Sequence, residues 1–130
     1  MKTMRNFLSV FFVLFASVSF AGNPKSKGIA GQWDIKGQNY TAIYQMDAYR
    51  GKYYGRLIEY TQAGKTIKGG KEDYFISDVQ KSKGGGFIGK FYTPDGKEHK
   101  FTLTWKSDTE LEAKIDIGGK ISVEQWTKRK

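Results

Sequence analysis

The sequence predicts an all-β domain, an eight-stranded antiparallel up-and-down barrel, preceded by an N-terminal signal peptide. Three observations predict it. From Phe87 to Trp126 the chain passes through four alternating apolar–polar runs, separated by Thr93-Pro94-Asp95-Gly96, Ser107-Asp108-Thr109 and Gly118-Gly119. Strict alternation marks strands with one buried face, and turns this short fold each strand back antiparallel on the one before. Residues 31–79 repeat the pattern. Finally, the chain has no cysteine, so an exported domain of this size must be held by apolar burial and a complete hydrogen-bond ladder. A closed barrel supplies that ladder because it has no unpaired edges.

Residues 1–21 read as the signal peptide. Lys2 and Arg5 give a positive start, Phe7 to Phe15 is almost wholly apolar, and Ser19-Phe20-Ala21 offers small residues for cleavage after Ala21. The run is shorter than the roughly 20 apolar residues of a spanning helix. The expected product is one β-barrel domain, residues 22–130, exported to the periplasm or the extracellular space, with no transmembrane segment.

The first strand is Gly31 to Lys36, with Trp33 and Ile35 inward. Tyr40 to Met46 is the second, with Tyr40, Ala42, Tyr44 and Met46 on one face. Lys52 to Thr61 is the third and is apolar or aromatic on both faces: Tyr53, Gly55 and Leu57 on one side, Tyr54, Arg56, Ile58 and Tyr60 on the other. Gln62 to Lys71 reads as a polar loop, Glu72 to Val79 as the fourth strand and Gln80 to Gly85 as a second loop. Four strands complete the count: Phe87 to Tyr92, Glu98 to Lys106, Glu110 to Ile117 and Lys120 to Thr127. Phe101, Leu103 and Trp105 share one core face, as do Leu111, Ala113, Ile115 and Ile117. In the last strand the phase breaks, because Ile121 and Val123 lie on the face opposite Trp126 unless a bulge intervenes.

Chemistry is sparse. Gly84-Gly85-Gly86-Phe87-Ile88-Gly89 fits a dinucleotide fingerprint in letters, but a strand follows it where that fold needs a helix. Gly64-Lys65-Thr66 lacks the earlier glycine of a phosphate-binding loop. A single histidine, His99, excludes a multi-histidine metal site, and the absence of cysteine removes thiolate nucleophiles and zinc–thiolate sites. Asp78 falls within a predicted strand and is a candidate buried acid. No catalytic residue, metal ligand or cofactor is assigned, and the expectation is a non-enzyme.

The aromatics say more. Eight tyrosines, nine phenylalanines and three tryptophans favour strands, and inside a small barrel they can line an amphipathic pocket. The residues named as lining it are Tyr44, Met46, Tyr53, Leu57, Phe91, Phe101, Leu103 and Trp105. The leading expectation is therefore binding of a small apolar or amphipathic molecule.

The alternative is a filled barrel that engages an anionic surface from outside. The formal charge is +9, and lysines gather in loops at Lys65, Lys68 and Lys71, at Lys81 and Lys83, and in Lys128-Arg129-Lys130. Tyr54, Ile58 and Tyr60 would form the exposed patch of such an envelope or surface module. Export argues against nucleic acid as the partner.

Two places carry a family resemblance. Gly31-x-Trp33 resembles the first-strand signature of lipocalins and other calycins, in which a basic residue near the end of the barrel packs over the tryptophan. The resemblance implies a closure built from Gly31, Trp33, Trp126 and Lys128, with Arg129 the other candidate for the basic part. Lys52-Tyr53-Tyr54-Gly55-Arg56-Leu57, then Gly89 to Lys97, then Gln125-Trp126-Thr127-Lys128 resemble a family of small exported bacterial proteins known only as a domain of unknown function. That family is held to be lipocalin-like. The likeness covers most of residues 22–130 and implies the fold, without an activity.

Overall fold

The computed structural model describes residues 28–129; the signal-peptide reading of residues 1–21 lies outside them. Among the described residues nine antiparallel strands follow in order: β1 (Gly31–Lys36), β2 (Thr41–Tyr49), β3 (Lys52–Gln62), β4 (Lys65–Lys68), β5 (Tyr74–Lys81), β6 (Phe87–Tyr92), β7 (Glu98–Ser107), β8 (Glu110–Ile117) and β9 (Lys120–Lys128). Eight of them close a barrel. β1 pairs with β2, β2 with β3, β3 with β5, and the chain continues through β6, β7, β8 and β9 back to β1. The closing pair sets Trp126 against Ile35 and Lys128 against Trp33.

β4 is the extra strand. The stretch read as a loop from Gln62 to Lys71 folds back on the far half of β3, Gln62 opposite Lys65 and Glu59 opposite Lys68. β3 outruns β5, so its last turn of ladder would otherwise be an open edge. The reversal is a two-residue turn, Ala63-Gly64, with φ of 53° and 78°. Arg50-Gly51 and Gly118-Gly119 have positive φ at both positions as well. All three are type I′ geometry, whose twist matches that of the flanking strands.

Irregularities of pairing reset which residues face inward. Ile43 pairs with Glu59 but Tyr44 pairs with Leu57, so Ile58 is an extra, bulged residue in β3. Beyond it the alternation inverts, and Tyr60, opposite the inward Ala42, turns into the barrel. This overturns the reading of Tyr54, Ile58 and Tyr60 as one exposed patch. In β5, a bulge falls at Asp78, which has a φ of 55°; it lets Ile76 and Val79 both be fully buried. Asp78 is not a buried acid. It accepts a hydrogen bond from Ser77 Oγ at 3.1 Å and pairs with Lys52 at 3.5 Å, at the surface.

β9 carries no bulge against β8: the register runs unbroken from Glu110↔Thr127 to Ile117↔Lys120. The expected phase break is therefore resolved in favour of Trp126. Ser122, Glu124, Trp126 and Lys128 take the inner side, while Ile121 and Val123 are exposed. Ile117, expected on the core face of β8, is 39% exposed at the rim.

One end of the barrel is solidly packed. Ile29, Trp33, Met46, Phe87, Phe101, Leu103, Leu111 and Trp126 are buried there. The rings meet in a connected set, Trp33 lying 5.9 Å from Trp126 and 6.3 Å from Trp105, and Phe101 lying 5.8 Å from Trp126. The Trp33 indole donates to the carbonyl of Ile29 at 3.0 Å. Lys128 Nζ sits 5.1 Å over the Trp33 ring and donates to the Ala30 carbonyl at 2.6 Å. Gly31 permits this. Its φ is 119°, and a β-carbon there would stand 2.8 Å from Lys128 Nζ.

Candidate functional site

The other end is open. A cavity of about 740 Å³ enters the barrel between the 69–73 and 93–97 connections, with walls from β2, β3, β5, β6, β8 and β9. That volume is in the range of small-molecule sites. Its aromatic walls are placed by irregularities of the same kind: Gly55 pairs with Ile76 but Arg56 pairs with Tyr74, so Phe75 is an extra residue in β5. The β3 bulge brings Tyr60 inward, where it stacks on Tyr40 with ring centres 5.1 Å apart and planes at 23°. Phe75, at the start of β5, meets both Tyr44 and Phe91 edge-on at 4.9 and 5.2 Å. Leu57 and Ile115 supply aliphatic surface.

The polar feature of the cavity is Glu124. Its position opposite Ala113 on β8 fixes it on the inner side, and it is 1% exposed. A carboxyl group taken from water is strongly disfavoured unless its oxygens are hydrogen-bonded. Here both are. Oε2 accepts from the Tyr44 hydroxyl at 2.8 Å and from the Tyr40 hydroxyl, and Oε1 accepts from the Trp126 indole at 3.0 Å. The effect on the phenols is large. Burial first, then the charge of Glu124, pushes Tyr40 and Tyr44 well above the ordinary tyrosine value of 10.0. Both hydroxyls therefore stay protonated and continue to donate near neutral pH.

Of the eight residues the sequence suggested as lining, Tyr44, Leu57 and Phe91 border this cavity. Met46, Phe101 and Leu103 face inward as expected but are consumed in the packed end, at 0%, 0% and 1% exposure. Tyr53 and Trp105 also belong to that end: Tyr53 packs edge-on against Phe87 at 6.1 Å, and Trp105 packs on Trp33 and Phe87. The reason is axial position. Alternation identifies the inner face of a strand but says nothing about which end of the barrel is filled.

Sequence reasoning missed Glu124, Tyr60 and Phe75. Glu124 was within reach, since it is two residues from Trp126 on a strand with period two. Anchoring the phase on the tryptophan rather than on Ile121 and Val123 would have placed it inside. Tyr60 and Phe75 depend on irregularities that leave no mark in a pattern of this kind.

His99 approaches Thr93 Oγ1 at 3.0 Å near the rim. A smaller depression of about 360 Å³ lies outside the barrel across β1 and β2, between Asp34, Lys36, Glu59 and Gln125. Its lining is mostly outward-facing polar side chains, and it has no aromatic wall.

Fold and site together define a closed antiparallel β-barrel with one packed end and one cupped end, and a buried carboxylate between them. The chain matches no family model and no curated protein.

Proposed function

We propose that this is an exported, non-catalytic barrel that binds a small amphipathic molecule in the cup above Glu124. The observation that supports the reading is the cavity of about 740 Å³, bordered by Tyr40, Tyr44, Tyr60, Phe75 and Phe91. Apolar walls with a few convergent polar atoms are the usual make-up of such sites, the walls supplying affinity and the polar atoms orientation. A lipocalin-like kinship, suggested by Gly31, Trp33 and Lys128 at the packed end, agrees with a binder of this kind. The alternative of an external surface module loses one of its aromatic anchors, because Tyr60 points inward, and Lys68 of its basic loop is paired with Glu59 at 2.6 Å.

Native mass spectrometry of the extracted protein, with a titration of the neutral dye Nile red, tests the proposal. Saturable uptake near one dye per chain is expected, lost when Leu57→Trp fills the cup. No uptake and no co-purifying molecule would refute it.

A further inference from the structure

The polar floor of the cup has an unusual hydrogen-bond balance. Tyr40 and Tyr44 each own one hydroxyl proton, and both are committed to Glu124. The indole of Trp126 has one proton, and it is committed too. What remains for an occupant is acceptor capacity alone: the second lone pair of each phenol oxygen and the unfilled position on Oε1 of Glu124. A ligand hydroxyl or carboxylate that needs a donor finds none on this floor.

The charge distribution points the same way from an independent direction. The chain has 22 lysines and arginines against 13 acids, yet among the described residues the cavity lining includes Asp73 and Glu124 and not one lysine or arginine. The described basic side chains lie outside this lining, whose acidic side chains are Asp73 and Glu124. The walls also suit a cation, since the faces of Tyr and Phe rings carry negative potential.

We propose that the occupant carries a cationic N–H donor group, a protonated amine or a close equivalent, set against Glu124 and the Tyr40 and Tyr44 oxygens, with an apolar tail along Tyr60, Phe75 and Phe91. This rests on the reading of the cup as a ligand site. The ammonium supplies the donors that the floor lacks and neutralises the buried carboxylate. The tail, lying toward the rim, replaces water against the aromatic wall. An anionic amphiphile of the same length meets two acids and only neutral hydroxyl donors, such as that of Ser122, so the cup discriminates against it.

Three probes of equal chain length separate the ideas: n-octylammonium, n-octanol and n-octanoate, each titrated into the wild-type domain near pH 7 by calorimetry or by displacement of Nile red. The ammonium is expected to bind about tenfold or more tighter than the alcohol, the scale of a hydrogen bond to a charged group. Octanoate is expected to bind weakest. In Glu124→Gln, the preference for ammonium over alcohol is expected to shrink to within about threefold while the alcohol still binds. Because the wild-type comparison needs no variant, the test survives if that substitution disturbs folding. Equal binding of ammonium and alcohol, or tighter binding of octanoate, overturns the inference while leaving the binder reading intact. If Nile red and all three probes fail to bind, both fall together.

Discussion

Tyr44→Phe isolates one hydrogen bond of the Glu124 network and leaves the packing in place. Tyr44 is 3% exposed, and its ring meets Phe75 and Trp126 edge-on at 4.9 and 5.4 Å. Phenylalanine keeps both contacts. What disappears is the O–H that donates to Glu124 Oε2 at 2.8 Å. A buried hydrogen bond to a charged group contributes about 1.5–3 kcal/mol, and an acceptor left short in the interior adds its desolvation penalty. A loss of about 2 kcal/mol is expected. At roughly 4–8 °C per kcal/mol for a domain near this size, the melting temperature should fall by about 8–16 °C. Differential scanning calorimetry near pH 7 measures it. A double-mutant cycle with Glu124→Gln then decides whether the loss belongs to this pair. Coupling of about 1 kcal/mol or more is expected, because the two side chains share one hydrogen bond. If the two losses add to within about 0.5 kcal/mol, or if Tyr44→Phe melts with the wild type, Glu124 is not held as described.

Three further outcomes follow from the geometry. Tyr40 and Tyr44 titrate above the ordinary value of 10.0 in the folded protein. Their protons therefore make no pH dependence below about pH 10, where both folded and unfolded chains hold them. Above it the unfolded chain releases protons that the folded chain keeps, so stability falls as pH rises. Urea midpoints between about pH 9 and 11 should show this decline, flatter in Tyr44→Phe; parallel slopes would contradict it. Trp33→Ala removes a ring that is 1% exposed and central to the packed end, and should lower stability by about 3–5 kcal/mol in denaturant melts. An unchanged midpoint would place Trp33 outside the core. Ala63 occupies a left-handed position at a φ of 53°, which strains an L-residue by about 1–2 kcal/mol. Ala63→Gly should raise the melting temperature, and a lower one would show that the β3–β4 turn is not type I′.

The barrel was legible because its signals are local. Alternation in Glu110–Ile117 and Glu98–Ser107 and the paired glycines at 118–119 each act over a few residues, and antiparallel neighbours in sequence become neighbours in space. Trp33 and Lys128 were legible as a pair only through the Gly31-x-Trp33 pattern, since 95 residues of chain separate them. The site was less legible for two physical reasons. A bulge adds one residue and inverts everything beyond it, so the inward turn of Tyr60 is decided by how Ile58 fails to pair. The apolar Ile121 and Val123 also outweigh Glu124 on any hydropathy count, yet closure against β1 needs Trp126 inside and carries Glu124 in with it. Packing overrode polarity at that strand, and three donors made the result tolerable.

Those donors bear on why the carboxylate is there. Replacing a satisfied buried polar group and its partners by apolar groups of similar shape is often neutral or stabilising. A leucine at position 124, phenylalanines at 40 and 44, and a Trp126 with its indole turned to another acceptor would keep the barrel closed without a buried charge. Stability alone is therefore a weak reason for a carboxyl group at this position. The floor is also rigidly supported: Trp126, which donates to Glu124 at 3.0 Å, lies 5.9 Å from Trp33, which Lys128 covers at the end of the barrel. The packed end thus fixes the orientation of the buried carboxyl group facing the cup, as a preorganised binding site demands. Occupancy should in turn be visible from that floor. A cation seated against Glu124 changes the field at the Trp126 indole, so the probe that binds tightest should shift tryptophan emission most, and replacing Trp126 by Phe should remove the shift. A shift that persists without Trp126 would mean that the occupant sits elsewhere.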